Sequence, residues 1–125
     1  MNRPEYLKQY YKDNRDRIRA KTKKWQTDNK EKVSKSNFEY KLKNRYNITP
    51  KQLEVMYEEQ DNSCKICNIH KDDTKIGLVV DHCHKTLEVR GLLCHSCNVS
   101  LGHLKDDTEL LYKAIQYLKT NGKFN

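Results

Sequence analysis

The sequence predicts an α+β fold: a small strand–strand–helix core held by two cysteine pairs, with flanking helices and a basic helical arm at residues 1–47. Three observations predict it. Cys64/Cys67 and Cys94/Cys97 form two Cys-x-x-Cys pairs separated by residues 68–93. Two short apolar runs rich in β-branched residues, 78–80 and 89–93, lie between the pairs and flank a polar stretch, the pattern of a β-hairpin. The charge is also divided. Residues 1–47 carry 15 Lys/Arg against 6 Asp/Glu, a net of +9, and residues 48–125 carry 10 against 11, a net of −1.

A chain of 125 residues predicts one compact domain plus an arm. Hydrophobic residues make up 35% and charged residues 34%, too thin a core to enclose a bulky organic cofactor. A net charge of +8 and a pI near 9.2 point to a polyanionic partner. The longest apolar run, Gly77 to Val80, falls far short of the roughly 20 residues that span a bilayer, so no membrane partner is expected. Residues 1–25 hold Arg3, Lys8, Lys12, Arg15 and Arg17 without an apolar stretch, which excludes a signal peptide and predicts a reducing, cytoplasmic setting. In such a setting the five cysteines are read as metal ligands before disulfides.

The arm holds seven of the eleven aromatic residues: Tyr6, Tyr10, Tyr11, Trp25, Phe38, Tyr40 and Tyr46. It also holds a faint repeat. Residues 11–18 match residues 26–33 at an offset of 15, and Trp25 then corresponds to Tyr40. The pairs Asp13-Asn14 and Asp28-Asn29 are candidate caps for a following helix. The segment reads as one long helix, or as two with a break near residues 27–29. Its apolar stripe is too sparse to fold alone. Basic charge with interleaved aromatics suits a grip on nucleic-acid phosphates, the bland alternative being a solvated helix or disorder.

In the second part, Thr49-Pro50-Lys51-Gln52 reads as a helix start. Thr49 is the N-cap, Pro50 sits at N1 and Gln52 completes a capping box, with Leu53, Met56 and Tyr57 on one face to about Gln60. The doubled Cys-x-x-Cys spacing follows. Two thiolates three residues apart can grip one ion from a tight knuckle, and two knuckles supply four tetrahedral ligands with no open position. This predicts a structural Zn²⁺ at Cys64, Cys67, Cys94 and Cys97, the alternatives being a redox pair or disulfides; the ion would supply folding free energy that the thin core lacks. A helix is expected over 97–104. A final helix opens at Asp107, carries Leu110, Leu111, Ala114, Ile115, Tyr117 and Leu118 as core or dimer surface, and ends at Gly122.

Asp81-His82 stands at the end of an apolar strand, and Asn98 follows the last zinc cysteine. Such a group suits a hard cation bound by oxygen ligands beside a neutral imidazole. The run Cys64-x-x-Cys67, Val80-Asp81-His82-Cys83-His84, Val89-Arg90-Gly91-Leu92-Leu93-Cys94, Cys97-Asn98 and Leu101-Gly102 resembles the phage recombination endonuclease VII family. That family sits in the HNH-like His-Me finger superfamily, the ββα-metal nucleases. The likeness covers residues 60–120 and implies an Mg²⁺-dependent DNA endonuclease, with Mn²⁺ as a substitute ion. Asp81 matches the carboxylate that binds catalytic Mg²⁺, and Asn98 the second metal ligand. His82 matches the general base that activates water, and His84 a second histidine supporting the phosphate. The four cysteines match the zinc ligands.

Phosphodiester hydrolysis calls for these residue types on its own account. Histidine can take a proton from water near neutral pH, and a cation held by one carboxylate and one amide oxygen stays attractive to phosphate. Arg90 is a candidate phosphate clamp or else a solvated strand residue. Two departures stand out. Cys83 replaces the family's usual acidic residue and reads as a spare core thiol or a fifth metal-proximal ligand. Leu101 stands where the junction-resolving member has an acidic residue, so neither its mechanism nor its junction preference carries over whole. His70, His95 and His103 read as surface histidines without a role. Junction cleavage would call for a homodimer. The rival reading is a non-catalytic zinc-ribbon module that binds DNA and never cuts it.

Overall fold

A computed structural model describes residues 2–123. The chain is α+β and divides into two compact units, one up to Leu42 and one from Lys43 onward. Helices α1 (Arg3–Asp13), α2 (Arg15–Asp28) and α3 (Lys30–Lys41) occupy the first unit, and a π-helical turn, Leu42–Tyr46, follows. The second unit then runs α4 (Pro50–Glu59), a short 3₁₀ turn (Lys71–Asp73), β1 (Leu78–His82), β2 (Val89–Cys94), α5 (His95–His103) and α6 (Thr108–Thr120).

The arm is helical with two interruptions, at Asn14 and Asn29, where the expectation was one helix or a single break. These asparagines do not cap the helix that follows. Each side-chain Nδ2 donates backward, Asn14 to the Tyr10 carbonyl and Asn29 to the Trp25 carbonyl, both at 2.9 Å. Backbone i→i−4 bonds join Asn14 to Tyr10 and Ile18, and Asn29 to Trp25 and Val33, so both asparagines stay in the helical ladder. The repeat is therefore structural: at each site an Asn ties back to an aromatic residue, about 22 Å apart for a 15-residue offset at about 1.5 Å per residue. Asn14, Ile18, Asn29 and Val33 are the half-buried positions, and no residue of α1, α2 or α3 is buried.

The expected helix start at Thr49 is present. The Gln52 N–H donates to Thr49 Oγ1, and the Gln52 side chain accepts from the Thr49 N–H. Leu53, Met56 and Tyr57 of α4 pack against a core of Cys64, Leu78, Leu92, Leu93 and Cys94. β1 and β2 form an antiparallel hairpin in which Leu78 faces Cys94 and Val80 faces Leu92. The outer edge of β2 is closed by side chains. Gln60 accepts from the Leu92 N–H and donates to the Leu92 carbonyl, both at 2.9 Å, while Lys65 Nζ donates to the Arg90 carbonyl at 3.0 Å. A paired edge cannot template another strand. Gly91 permits this closure, because a Cβ there would come within 2.7 Å of Lys65 Cδ.

The pairing register shifts between Asp81 and His82. Asp81 faces Gly91 and His82 faces Val89, which leaves Arg90 as the extra residue of a β-bulge. Bulges bend a strand and re-aim side chains, and they gather beside active sites. α5 packs on both strands. It begins at His95, two residues before the expected start, because Cys94 itself serves as N-cap. In α6, Asp107 caps the start as expected and the chain turns left-handed at Asn121 and Gly122. The helix was expected to supply core or dimer surface. It is not core: none of its residues is buried, and Leu118 is 73% exposed.

Candidate functional site

The sulfurs of Cys64, Cys67, Cys94 and Cys97 all lie within 4.8 Å of one another. The first knuckle is a tight turn in which the Asn68 N–H donates to the Cys64 carbonyl and the Cys64 N–H to the Ile69 carbonyl, with Asn68 in the left-handed region. The second is the first turn of α5, where Cys94 Sγ accepts from the Cys97 N–H at 3.5 Å. A Zn–S length of about 2.3 Å in a tetrahedron implies sulfurs about 3.8 Å apart. Cys67 and Cys94 stand 3.7 Å apart. The protonation chemistry also fits a cation. Burial pushes the Cys64 thiol up, but N–H groups of Cys67, Cys94 and Ile66 outweigh it and bring its pKa to about 6. Burial and the neighbouring sulfurs drive Cys97 the other way. Four thiolates this close repel one another unless a positive ion stands among them. The cluster can hold a structural zinc.

Asp81 is 6% exposed, the one buried charged residue among those described. Arg90 occupies both of its oxygens, Nε donating to Oδ2 at 2.7 Å and Nη2 to Oδ1 at 3.0 Å. The same Nη2 reaches Asp106 Oδ1 at 3.2 Å and Oδ2 at 3.3 Å. Asp81 thereby raises the Arg90 pKa further above its ordinary value. Lys105 and Asp106, in the loop after α5, both lie in the left-handed region. For residues other than glycine that conformation costs about 1 kcal/mol or more each, so the loop stores strain where it presents Asp106. Arg90 is exposed and at the same time paired with two carboxylates.

His82 is half-buried next to Asp81. The Tyr46 ring meets it edge-on with centroids 5.4 Å apart, and the His84 ring lies 4.9 Å away. Asn98 sits half-buried on α5, the helix that packs on β1. No hydrogen bond joins Asn98 to Asp81 or His82 among the described residues. The structure therefore brings Asp81 to Arg90 and His82 to His84, and it ties Asn98 to them only through its helix.

Cys83 was expected to be a spare core thiol or a fifth metal-proximal ligand, and it is not among the four clustered cysteines. It lies instead in the turn after β1, half-exposed, because the strand alternation ends at His82. Hydrogen bonds from the Thr86 side chain and backbone, then the Lys85 backbone, lower its pKa. His70 is also more than a surface residue. It bridges to Ser63 and its Nδ1 accepts from the Asp72 N–H at 3.3 Å, closing the loop behind the first knuckle. Sequence reasoning missed Tyr46, Gln60 and Asp106, each of which acts across the fold.

Comparison with known proteins matches these elements to a family. The sequence profile of recombination endonuclease VII covers residues 39–120, from the end of α3 to the end of α6. The chain is 41% identical over 87 residues to the Gene 59 protein of Mycobacterium phage D29, covering 69% of this chain and 52% of that protein. It is 41% identical over 86 residues to the Gene 59 protein of Mycobacterium phage L5, covering 68% and 52%. The chain thus spans about half the length of these curated relatives. No solved structure matches it. The matched stretch contains both knuckles, the bulged hairpin and α5, and on that ground the chain belongs to the recombination endonuclease VII family.

Proposed function

We propose that this chain is a divalent-metal-dependent DNA endonuclease with a His-Me finger (ββα-metal) core formed by β1, β2 and α5 and held by one structural zinc. The supporting observation is the buried carboxylate of Asp81 beside His82 at a β-bulge, inside the stretch that matches a nuclease family. A buried carboxylate beside a histidine at a strand irregularity is a candidate for chemistry as well as for an ion pair. The donor types suit Mg²⁺ or Mn²⁺: Asp81 offers a carboxylate oxygen and Asn98 an amide oxygen, and such ions keep water for the remaining positions. Bound there, the cation would supply positive charge to a phosphodiester oxygen.

The chain's own groups do the rest. His82 accepts a proton from the attacking water, which makes it hydroxide-like toward phosphorus. Tyr46 packs against the ring edge and restrains its orientation. His84, exposed beside His82, donates to a phosphate oxygen. Adding Mg²⁺ to zinc-loaded protein and supercoiled DNA should give nicked circles, with EDTA-treated controls uncut. A panel of four-way junction, flap, duplex and single strand then identifies the substrate. One observation favours the zinc-ribbon alternative, the closed Asp81–Arg90 ion pair. That reading predicts a gel shift without cleavage under any divalent ion.

The arm, residues 1–47, is proposed as a separate grip on DNA phosphates, working for a phage protein in the host cytoplasm and, on junctions, as a homodimer. Its support is a net +9 over residues 1–47, most of it on helices α1, α2 and α3, which bury no residue. If about five of its Lys/Arg contact phosphates, the slope of log K against log salt should flatten by about 4 to 5 when residues 1–42, the first unit, are deleted and Tyr46 is kept. An unchanged slope assigns the phosphate contacts to the second unit.

A further inference from the structure

Arg90 and Asp106 belong to no role implied by the family likeness, yet they are the closest partners of the buried carboxylate. Arg90 is the extra residue of the bulge, so the irregularity in the hairpin is what brings its guanidinium over Asp81. Its Nη2 is shared between Asp81 and Asp106. Asp106 is offered from a loop that adopts two consecutive left-handed residues, neither of them glycine. Beside them is an open recess lined by Gly102, Lys105, Asp106 and Arg90, which gives the guanidinium room to move toward Asp106.

We propose that Arg90 is a built-in counter-cation which a divalent ion must displace from one oxygen of Asp81, and that Asp106 is the positioning residue that takes up the displaced guanidinium. The inference rests on the reading of Asp81 as a metal ligand. With Asp106 present, Arg90 gives up an Asp81 oxygen and keeps a carboxylate partner. Without Asp106, Arg90 holds Asp81 alone and competes at full strength. Entry of a divalent ion would then leave a guanidinium unpaired next to it, which is repulsive at that short range because Asp81 between them is buried. The three side chains therefore set divalent affinity as a unit.

The test is Mn²⁺ binding to the zinc-loaded full chain without DNA, followed by the loss of the free-ion EPR signal. Asp106→Asn should weaken binding about tenfold, or about 1.4 kcal/mol. Arg90→Gln should tighten it, and Arg90→Lys, which keeps charge but loses the bidentate fork, should tighten it less and guards against a folding defect in the first variant. In the Arg90→Gln background, Asp106→Asn should have no effect, the signature of a residue that acts through its partner. Equal weakening in both backgrounds makes Asp106 a plain local charge and overturns the proposal, as does no weakening in either. Asp81→Asn separates the two levels. If Mn²⁺ binding ignores that change, the metal-ligand reading of Asp81 fails together with the proposal. If binding needs Asp81 but is indifferent to Arg90 and Asp106, only the proposal fails.

Discussion

Removing the tetrahedral ion should unfold the second unit. Its core cluster holds five buried residues, and two of these, Cys64 and Cys94, are themselves proposed ligands. The remaining three, Leu78, Leu92 and Leu93, contribute about 1.5–3 kcal/mol each on burial. Three leucines and a rim of half-buried side chains make a thin core for a unit that runs from Lys43 onward. Structural zinc supplies roughly 10–16 kcal/mol of apparent binding free energy, all of it coupled to folding. Protein stripped with a chelator should therefore lose the cooperative melting transition of this unit and regain it with one equivalent of Zn²⁺. Cys94→Ser should behave like the stripped protein, since it removes a ligand while the serine hydroxyl can still cap α5, which isolates the loss of the ion from the loss of the cap. Cys83→Ser, outside the cluster, should bind one zinc as the parent does. A stripped protein that melts as before would place the stability in packing and leave the cysteines without that role.

Local signals carried the reading of the sequence as far as local physics reaches. The capping box at Thr49, the paired knuckles, the hairpin and the Asp107 cap each depend on residues within a few positions of one another, and all are present. What escaped depends on distance along the chain. Gln60 closes the edge of β2 through Leu92, and no pattern near residue 60 announces this. Asp106 reaches Arg90 only because the loop after α5 turns left-handed twice. Tyr46 meets His82 from a π-helical turn, and its position in an aromatic-rich segment hid it among exposed aromatic residues of the arm. The bulge could not be read at all. One-residue slips leave the composition of a strand unchanged, yet this one decides that Arg90 faces Asp81. The arm shows the opposite error. The asparagines were legible as helix punctuation, but their side chains bond to the turn behind them, a choice between accepting from an N–H ahead and donating to a carbonyl behind that spacing does not settle.

His82→Ala should lower Mg²⁺-dependent DNA cleavage by about 10²- to 10⁴-fold, the usual worth of a positioned general base. The size of the loss alone does not identify the role, because any residue that shapes the hairpin end could produce it. Three measurements do. Melting temperature and zinc content should stay near the parent values, since His82 is half-buried, terminates β1 and contributes nothing to the cysteine cluster. Mn²⁺ affinity should also persist, because the carboxylate belongs to Asp81, whose partners are Arg90 and its bulge rather than the imidazole. Asp81→Asn should instead lose affinity for the ion together with cleavage, and should leave Arg90 with one neutral amide acceptor beside Asp106. Finally, imidazole added to the His82→Ala protein should restore part of the rate, since the deleted ring leaves a gap beside Tyr46 and His84 that a free base can enter. Rescue without any change in binding locates the defect in proton transfer. If the variant cuts as fast as the parent, the proton acceptor is another group, and His84, 4.9 Å from the His82 ring, is the first to replace.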